Sequence, residues 1–218
     1  MIKEAAYKTH CPLYNERKLL NPFWKSFAFF QCGACKLTFP VPFPDTAALE
    51  LYHESWNAPE TSRAETDSTN SRSADSIAKC LLRSTKSASF AGNRILDFGG
   101  GMGAMATALK KQGADVIIVE PFGVGYLKNL GFDARADLNE IPEGIFFDGI
   151  TSLEVVEHAL GPAENLERLG ERLAPGGWLF VTTPDPEGLT ARLAGQEWRD
   201  DRNLGISFSF HPPRSRQL

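Results

Sequence analysis

The sequence predicts an α/β fold, built on a doubly wound and mostly parallel sheet and preceded by a small N-terminal segment that contains cysteines. Two observations predict it. From Ser76 onward, apolar runs of strand length alternate with segments of helical pattern, and such alternation produces right-handed βαβ units with helices on both faces of the sheet. The chain has 218 residues, 42% of them hydrophobic, which suffices for one packed domain and a small appendage.

The predicted elements follow in chain order. A helix is expected at "SIAKCLLRSTKSA", which begins at Ser76. The strands are short and apolar, and we expect them at Arg94–Phe98, Asp115–Val119, Gly131–Ala136, Phe147–Ser152 and Trp178–Thr183. The helices that alternate with them lie near Ala104–Gln112, Gly123–Leu130 and Ala163–Leu173, and a Pro-Gly-Gly turn precedes the last strand.

Composition divides the chain into three zones. Residues 1–45 hold three of the four cysteines together with many aromatic residues and prolines, and residues 76–218 carry the strand–helix alternation. Between them, residues 46–75 begin with a predicted short helix, Thr46–Trp56, and continue as a polar stretch rich in Ser and Thr. That stretch, 57–75, has almost nothing to bury, so we expect a flexible linker or loop.

The loop after the first strand is where a ligand is expected, because open α/β sheets bind ligands beyond the carboxyl ends of their strands. In "RILDFGGGMGAM", Gly99, Gly101 and Gly103 alternate, and glycine both permits a positive φ and removes the Cβ that would block a close ligand. Glu120, about 20 residues further on, also completes a dinucleotide fingerprint. Asp97 favours another ligand class, since a carboxylate at the mouth of the loop suits a cation better than a pyrophosphate.

Three blocks of sequence carry a resemblance to a known family. They are the glycine loop, "FDGITSLEVVEH" and "LERLGERLAPGGWLFVTTP". In order and spacing they resemble the S-adenosylmethionine-dependent methyltransferases of the Rossmann-like type, from Ser76 to about Pro184. A sulfonium ligand is cationic and has no phosphates, so a pocket rich in carboxylates agrees with the resemblance.

The resemblance also implies roles for individual residues. Asp97 and the glycines at 99, 101 and 103 would surround the methionine part of the cofactor. Glu120 would accept hydrogen bonds from the ribose hydroxyls, and Asp137 would contact the adenine amine. His158 is the best candidate for a general base, which methyl transfer needs when the acceptor still holds its proton. A hydrogen-bonded structural histidine at the strand end is the alternative.

The segment "SLEVVEH" supports a second hypothesis. If a helical turn begins here, Glu154, Glu157 and His158 share one face and could hold a divalent ion. The spacing is similar to that of metal-dependent members of the superfamily, which include ubiquinone-pathway O-methyltransferases and RNA 2′-O-methyltransferases. Under this hypothesis, His211 would be the counterpart of the further histidine that the RNA enzymes use. The simpler interpretation, in which Glu and His line the pocket without metal, is the one that we favour.

The N-terminal cysteines resemble a degenerate zinc ribbon. "CPLY" and "CGAC" supply Cys11, Cys32 and Cys35 as candidate structural zinc ligands, but Tyr14 stands where a fourth cysteine is expected. A structural zinc site needs four ligands, so we expect a weakened or lost site, with a retained structural zinc as the alternative. Cys80 falls on the first predicted helix, where we expect it to be buried as a small apolar residue.

After Trp198 the sequence contains no counterpart of the two strands that end this superfamily fold. We therefore expect a C-terminally truncated domain whose strand at Trp178–Thr183 is an exposed edge, able to pair with a second copy as a homodimer. Impaired turnover is a further expectation, which leaves a cofactor- or partner-binding paralogue as a non-enzymatic alternative.

Charge and composition restrict the partners. The net charge is −4, with no basic stripe, which makes nucleic acid an unlikely partner and counts against the RNA hypothesis. No apolar run is long enough for a membrane span and no signal peptide is evident, so we expect a cytoplasmic protein.

The leading hypothesis is methyl transfer from S-adenosylmethionine to an O or N atom of a small molecule. An NAD-dependent oxidoreductase is a distant alternative, because nothing matches a hydride-transfer site.

Overall fold

The computed structural model describes residues 19–20, 28–32, 38–41, 63–159, 161–185 and 188–194. The chain divides into two compact units. The first comprises residues 1–56, 156–166 and 183–218, and the second comprises residues 57–155 and 167–182. The glycine loop and all the strands of the predicted parallel sheet belong to the second unit.

The first unit contains a small antiparallel sheet. Its strands are β1 (Leu19–Leu20), β2 (Ala28–Cys32) and β3 (Thr38–Val41), in that order, and β2 pairs with β3 through partners such as Phe30 and Phe39. The unit also holds a 3₁₀ turn at Val156–His158 and a short helix at Leu189–Ala194. The predicted helix over 46–56 lies outside the described residues.

The second unit begins with a longer helix than the sequence predicts. Helix α1 runs from Arg63 to Ser84, so the prediction of a loop over 57–75 is wrong from Arg63 onward. The physical reason is that the C-terminal half of the helix buries Ala74, Ala78 and Leu81 on one face. That face anchors the helix, which then continues towards its N-terminus through polar residues that composition alone assigns to a loop.

A five-stranded parallel sheet forms the centre of the second unit, as predicted. In chain order the elements are β4 (Arg94–Phe98), α2 (Ala104–Lys111), β5 (Asp115–Val119), α3 (Val124–Asn129), β6 (Asp133–Arg135), β7 (Phe147–Leu153), α4 (Pro162–Glu171) and β8 (Leu173–Thr182). The first half of α4, up to residue 166, is assigned to the first unit. The spatial order is β6-β5-β4-β7-β8, so the strand order reverses between β4 and β7. Ligands bind at such a switch point.

Alternate residues of the central strands pack into two hydrophobic clusters. Ile95 on β4 belongs to the cluster that includes residues of α1 and α2, whereas its neighbour Leu96 packs with Phe147 and Leu169 in the other. Both Ile95 and Leu96 are fully buried. Cover on both faces of a parallel strand explains why the neighbouring residues Ile95 and Leu96 are both apolar.

The last strand differs from its prediction at its start. β8 begins at Leu173 rather than Trp178, because Pro175, Gly176 and Gly177 form an irregularity within the strand and not a turn before it. The pairing with β7 passes from Phe147–Leu173 to Gly149–Trp178 across this irregularity. Among the described strands β8 is an outer strand of the sheet, as predicted.

No helix within the described ranges combines the length and the apolar character that crossing a membrane requires.

Candidate functional site

The glycine loop joins β4 to α2 at the carboxyl edge of the sheet. Gly99, Gly101 and Gly103 all have positive φ, at 73°, 53° and 83°. Gly99 has no room for a side chain, because an added Cβ would overlap the side chain of Val155. Gly103 is the N-cap of α2 and makes the left-handed turn that starts the helix. These two glycines are therefore required by the protein's own packing.

Gly101 differs from the other two glycines. An added Cβ at this position would meet no heavy atom of the described residues within 4 Å. Its N–H donates a hydrogen bond to Glu120 Oε2, 2.9 Å away. The loop therefore leaves free space directly over an exposed glycine, next to a carboxylate, which is the arrangement expected where a ligand approaches the backbone.

Glu120 lies directly after β5, as predicted, and its side chain is directed to the loop. Its Oε1 accepts a hydrogen bond from the N–H of Phe122 at 3.1 Å, while Oε2 binds Gly101. The residue is half-buried. A carboxylate has about four lone-pair sites, so Glu120 can hold the loop and still accept hydrogen bonds from a ligand hydroxyl.

Asp97 lies beneath the loop and not at its mouth, which corrects the orientation expected from sequence. The residue is only 2% exposed. Its Oδ2 accepts a hydrogen bond from the N–H of Ala106 in the first turn of α2 at 3.1 Å, and its Oδ1 accepts one from Thr151 Oγ1 at 2.9 Å. The carboxylate is therefore part of the floor of the site.

The burial of Asp97 changes its ionisation. Removal from water raises the pKa of this carboxyl from its usual 3.8 to about 6, and the negative charge of Glu120 adds to the increase. The hydrogen bonds from Thr151 and Ala106 stabilise the charged form and lower the pKa. Asp97 is therefore mostly ionised at pH 7, and it gains its proton when the pH falls below about 6.

Asp137, the predicted adenine contact, caps a 3₁₀ turn at Leu138–Glu140. Its Oδ1 accepts a hydrogen bond from the Asn139 N–H at 2.7 Å and lies 3.8 Å from Arg168 Nη2. The side chain is 58% exposed, so it remains accessible at the end of β6. Asp137 thus caps the turn in this structure, and its contact with a ligand stays a proposal.

The segment after β7 does not form the helical face that the metal hypothesis needs. Glu154 has a φ of 55° in the left-handed region, and the 3₁₀ turn begins only at Val156. Glu157 is buried, and its Oε1 lies 4.0 Å from Nε2 of the partly exposed His158. No group of three potential ligands able to hold a metal ion occurs in the described part of the chain.

The remaining predicted residues lie mostly outside the described residues. These are Cys11, Tyr14, Cys35 and His211, while Cys32 is the last residue of β2. Cys80 is described, and it is an exposed free cysteine on α1. The prediction that Cys80 is buried is wrong, because the apolar face of the helix runs through Ala78 and Leu81 instead.

Sequence reasoning missed Thr151, which is fully buried and sits opposite Asp97 in the β4–β7 pairing. The sequence signal was a pair of hydroxyl residues, Thr151 and Ser152, inside a predicted buried strand. Its partner could be found only from the register of the two strands, which the sequence does not specify for a parallel pair.

Comparison with known proteins identifies the domain. A family model described as a methyltransferase domain matches residues 69–216. The ubiquinone biosynthesis O-methyltransferase of Nitrosococcus oceani is 36% identical over 124 residues, which are 51% of this chain and 52% of that protein. The corresponding enzyme of Xylella fastidiosa strain M23 is 35% identical over 112 residues, 45% of each chain. The chain spans about half the length of the curated relatives it matches.

Solved structures agree on the fold. The 1,6-didemethyltoxoflavin-N1-methyltransferase of Burkholderia thailandensis, solved with S-adenosylhomocysteine, superposes with a TM-score of 0.54 at 19% identity, covering 89% of this chain and 84% of that one. A plantazolicin methyltransferase, also solved with S-adenosylhomocysteine, gives a TM-score of 0.52 at 18% identity, covering 71% and 65%. The fold, the glycine loop and a family match over more than half of the sequence lead to one conclusion: the chain belongs to the methyltransferase domain family.

Proposed function

We propose that the chain is an S-adenosylmethionine-dependent methyltransferase that transfers a methyl group to an O or N atom of a small molecule. The observation that carries the proposal is the free space over Gly101, next to the half-buried Glu120 carboxylate, at the switch point of a parallel sheet. Family membership supports it, as do relatives named as O-methyltransferases and neighbours solved with S-adenosylhomocysteine.

The site residues fit this cofactor by their chemistry. The loop from Gly99 to Gly103 offers a close backbone approach for the methionine part, and Asp97 provides a negative charge beneath it. Glu120 can accept hydrogen bonds from ribose hydroxyls, since a 1,2-diol presents two donors to one carboxylate. Asp137 is exposed at the end of β6, where it can accept a hydrogen bond from an adenine amine.

The chemistry requires positioning more than covalent assistance. The cofactor supplies an electrophilic methyl group on a positively charged sulfur, and the acceptor atom displaces the sulfur in line. An acceptor that still holds its proton needs a base, and we assign this role to His158, because histidine is the side chain that most often serves as a general base. The metal-assisted RNA alternative has no support from the described residues, which contain no candidate ion site.

The proposal extends to assembly and location. We infer a homodimer that forms through β8, because this strand is an outer strand among those described and carries the apolar run Trp178–Val181. Size-exclusion chromatography with light scattering measures the oligomeric state directly, and a monomer at micromolar concentration contradicts the dimer.

We place the protein in the cytoplasm, where an exposed free thiol such as Cys80 stays reduced.

A thermal-shift screen against S-adenosylmethionine, S-adenosylhomocysteine and NAD tests the cofactor assignment. A ligand that binds only the folded state raises its stability by about 2.7 kcal/mol at a hundredfold excess over Kd. We expect the two sulfur cofactors to raise the melting temperature and NAD to leave it unchanged. A rise in melting temperature with NAD alone contradicts the proposal.

Transfer of a labelled methyl group to a panel of catechols and amines then identifies the acceptor class.

A further inference from the structure

We propose that Thr151 is a positioning residue of the cofactor site, whose hydroxyl keeps the Asp97 carboxylate ionised and directed under the glycine loop. The inference rests on the proposed function for its consequence in cofactor binding. The contact between Thr151 and Asp97 itself can be tested without a ligand. Neither family membership nor the sequence assigns a role to Thr151.

The geometry makes this contact specific. Thr151 and Asp97 are direct partners in the β4–β7 register, and both are buried. The threonine hydroxyl has one proton, and it lies 2.9 Å from Asp97 Oδ1 but 3.4 Å from the carbonyl oxygen of Leu96. The shorter contact has the charged acceptor, and hydrogen bonds to charged groups are the stronger ones. The hydroxyl therefore donates to Asp97.

The two carboxylate oxygens hold two different elements. Thr151 on β7 fixes Oδ1, which leaves Oδ2 to accept the Ala106 N–H at the start of α2. Gly100 packs directly on this carboxylate, because a Cβ added there would lie 2.9 Å from Oδ2. Rotation of the Asp97 side chain would therefore disturb both the helix start and the loop above it.

The ionisation of Asp97 depends on its burial, on one neighbouring charge and on two hydrogen-bond donors. Burial and the negative charge of Glu120, at the end of β5, oppose ionisation, whereas the donors from β7 and α2 favour it. Glu120 is the titratable neighbour that contributes to this balance. Removing the Thr151 hydroxyl removes one of the two donors. A larger fraction of Asp97 should then carry a proton at neutral pH, so the floor of the site would lose part of the negative charge that faces a cationic ligand.

Carbon-13 NMR of protein labelled at the aspartate carboxyls measures the effect directly, with Asp97→Asn assigning the resonance. We expect the Asp97 midpoint near pH 6 in the wild type and at least one pH unit higher in Thr151→Val, which keeps the shape of the side chain but has no hydroxyl. Thr151→Ser retains the hydroxyl and should restore the wild-type midpoint. Thr151→Ala is a second deletion variant if the valine variant does not fold.

Ser152 provides a matched control on the same strand. Its side chain is equally buried, and its hydroxyl makes no hydrogen bond to any described residue. Ser152→Ala should leave the Asp97 midpoint unchanged. An unchanged midpoint in Thr151→Val, or an equal shift in Ser152→Ala, overturns the proposal.

Cofactor affinity as a function of pH then links the contact to binding. At pH 7 we expect Thr151→Val to bind S-adenosylmethionine about two- to tenfold more weakly, because only the ionised fraction of Asp97 supports binding. The loss should disappear at pH 8.5 and should be smaller for S-adenosylhomocysteine, which lacks the sulfonium charge. A loss that is independent of pH contradicts the charge argument. Wild-type protein that binds neither ligand would refute the proposed function, while the NMR titration still decides the contact.

Discussion

Asp97 and Glu120 end neighbouring strands, yet their surroundings give them different properties. Asp97 is enclosed, with both oxygens bound to protein donors, and burial raises its pKa to about 6. Glu120 is half-buried and turns towards the loop. One carboxylate is thus a fixed charge in the floor of the site, and the other is available to a ligand.

The raised pKa of Asp97 predicts how stability depends on pH. The folded state holds the proton up to about pH 6, whereas the unfolded chain releases it near 3.8, so the folded state binds more protons in this window and stability falls as pH rises through it. Relative to Asp97→Asn, the wild type should lose about 2 kcal/mol between pH 4.5 and 6.5. Urea unfolding of both proteins measures this difference. The prediction is contradicted if the free energy of unfolding changes with pH in the same way in both proteins.

Glu120 should contribute to cofactor binding more than to folding. Glu120→Ala removes a charged acceptor of ligand hydroxyls, and we expect S-adenosylhomocysteine binding to weaken by about 1–3 kcal/mol. Titration calorimetry measures the loss. Glu143→Ala, at an exposed position away from the loop, is the control and should bind as the wild type does. Equal affinities for the two variants would show that Glu120 does not contact the ligand.

The sequence predicted which residues line the carboxyl edge of the sheet but not how each is oriented. Position follows from strand ends, which are clear in apolar runs such as β4 and β5. Orientation depends on register and on backbone conformation. Two features had no local sequence signal. One is the burial of Asp97 against Thr151, and the other is the left-handed φ of Glu154, just before the 3₁₀ turn.

At the scale of elements, strands were predicted more reliably than the segments around them. β4 and β5 have the predicted ends, whereas α1 begins thirteen residues before its prediction, at Arg63 rather than Ser76. The difference has a physical cause. A strand buried on both faces is mostly apolar and so is clear in the sequence, but a helix anchored by a few buried residues can continue in a polar sequence.

The pairing of β7 with β8 requires a glycine at position 149. A Cβ at Gly149 would overlap the ring of Trp178, which in turn packs on Phe90 with ring centroids 5.9 Å apart. Gly149→Ala should therefore destabilise the domain by about 1–3 kcal/mol and change its tryptophan fluorescence. Gly170→Ala, on α4 where an added Cβ meets no described atom within 4 Å, should leave stability equal or higher. Chemical unfolding of both variants distinguishes these outcomes.

At the scale of the whole molecule, the parallel sheet carries the residues of the proposed cofactor site. The two halves of the site lie on β4 and β5, in the interior of the sheet, and the strand between β4 and the outer β8 is β7. The glycine loop is thus separated from the edge at which we propose that a second copy pairs. Dimerisation and cofactor binding should therefore be independent of each other.

The central claim, that the glycine loop holds S-adenosylmethionine, is tested most directly by calorimetric titration of S-adenosylhomocysteine into Gly101→Ala and Gly131→Ala. Both glycines have positive φ, at 53° and 81°, and at neither would a Cβ meet a described atom within 4 Å. Neither substitution creates a clash with a described residue, so a difference in affinity between the two variants reports on contact with the ligand. We predict wild-type affinity for Gly131→Ala and at least tenfold weaker binding for Gly101→Ala. Equal affinity of the two variants, or no binding to the wild type, would contradict the claim.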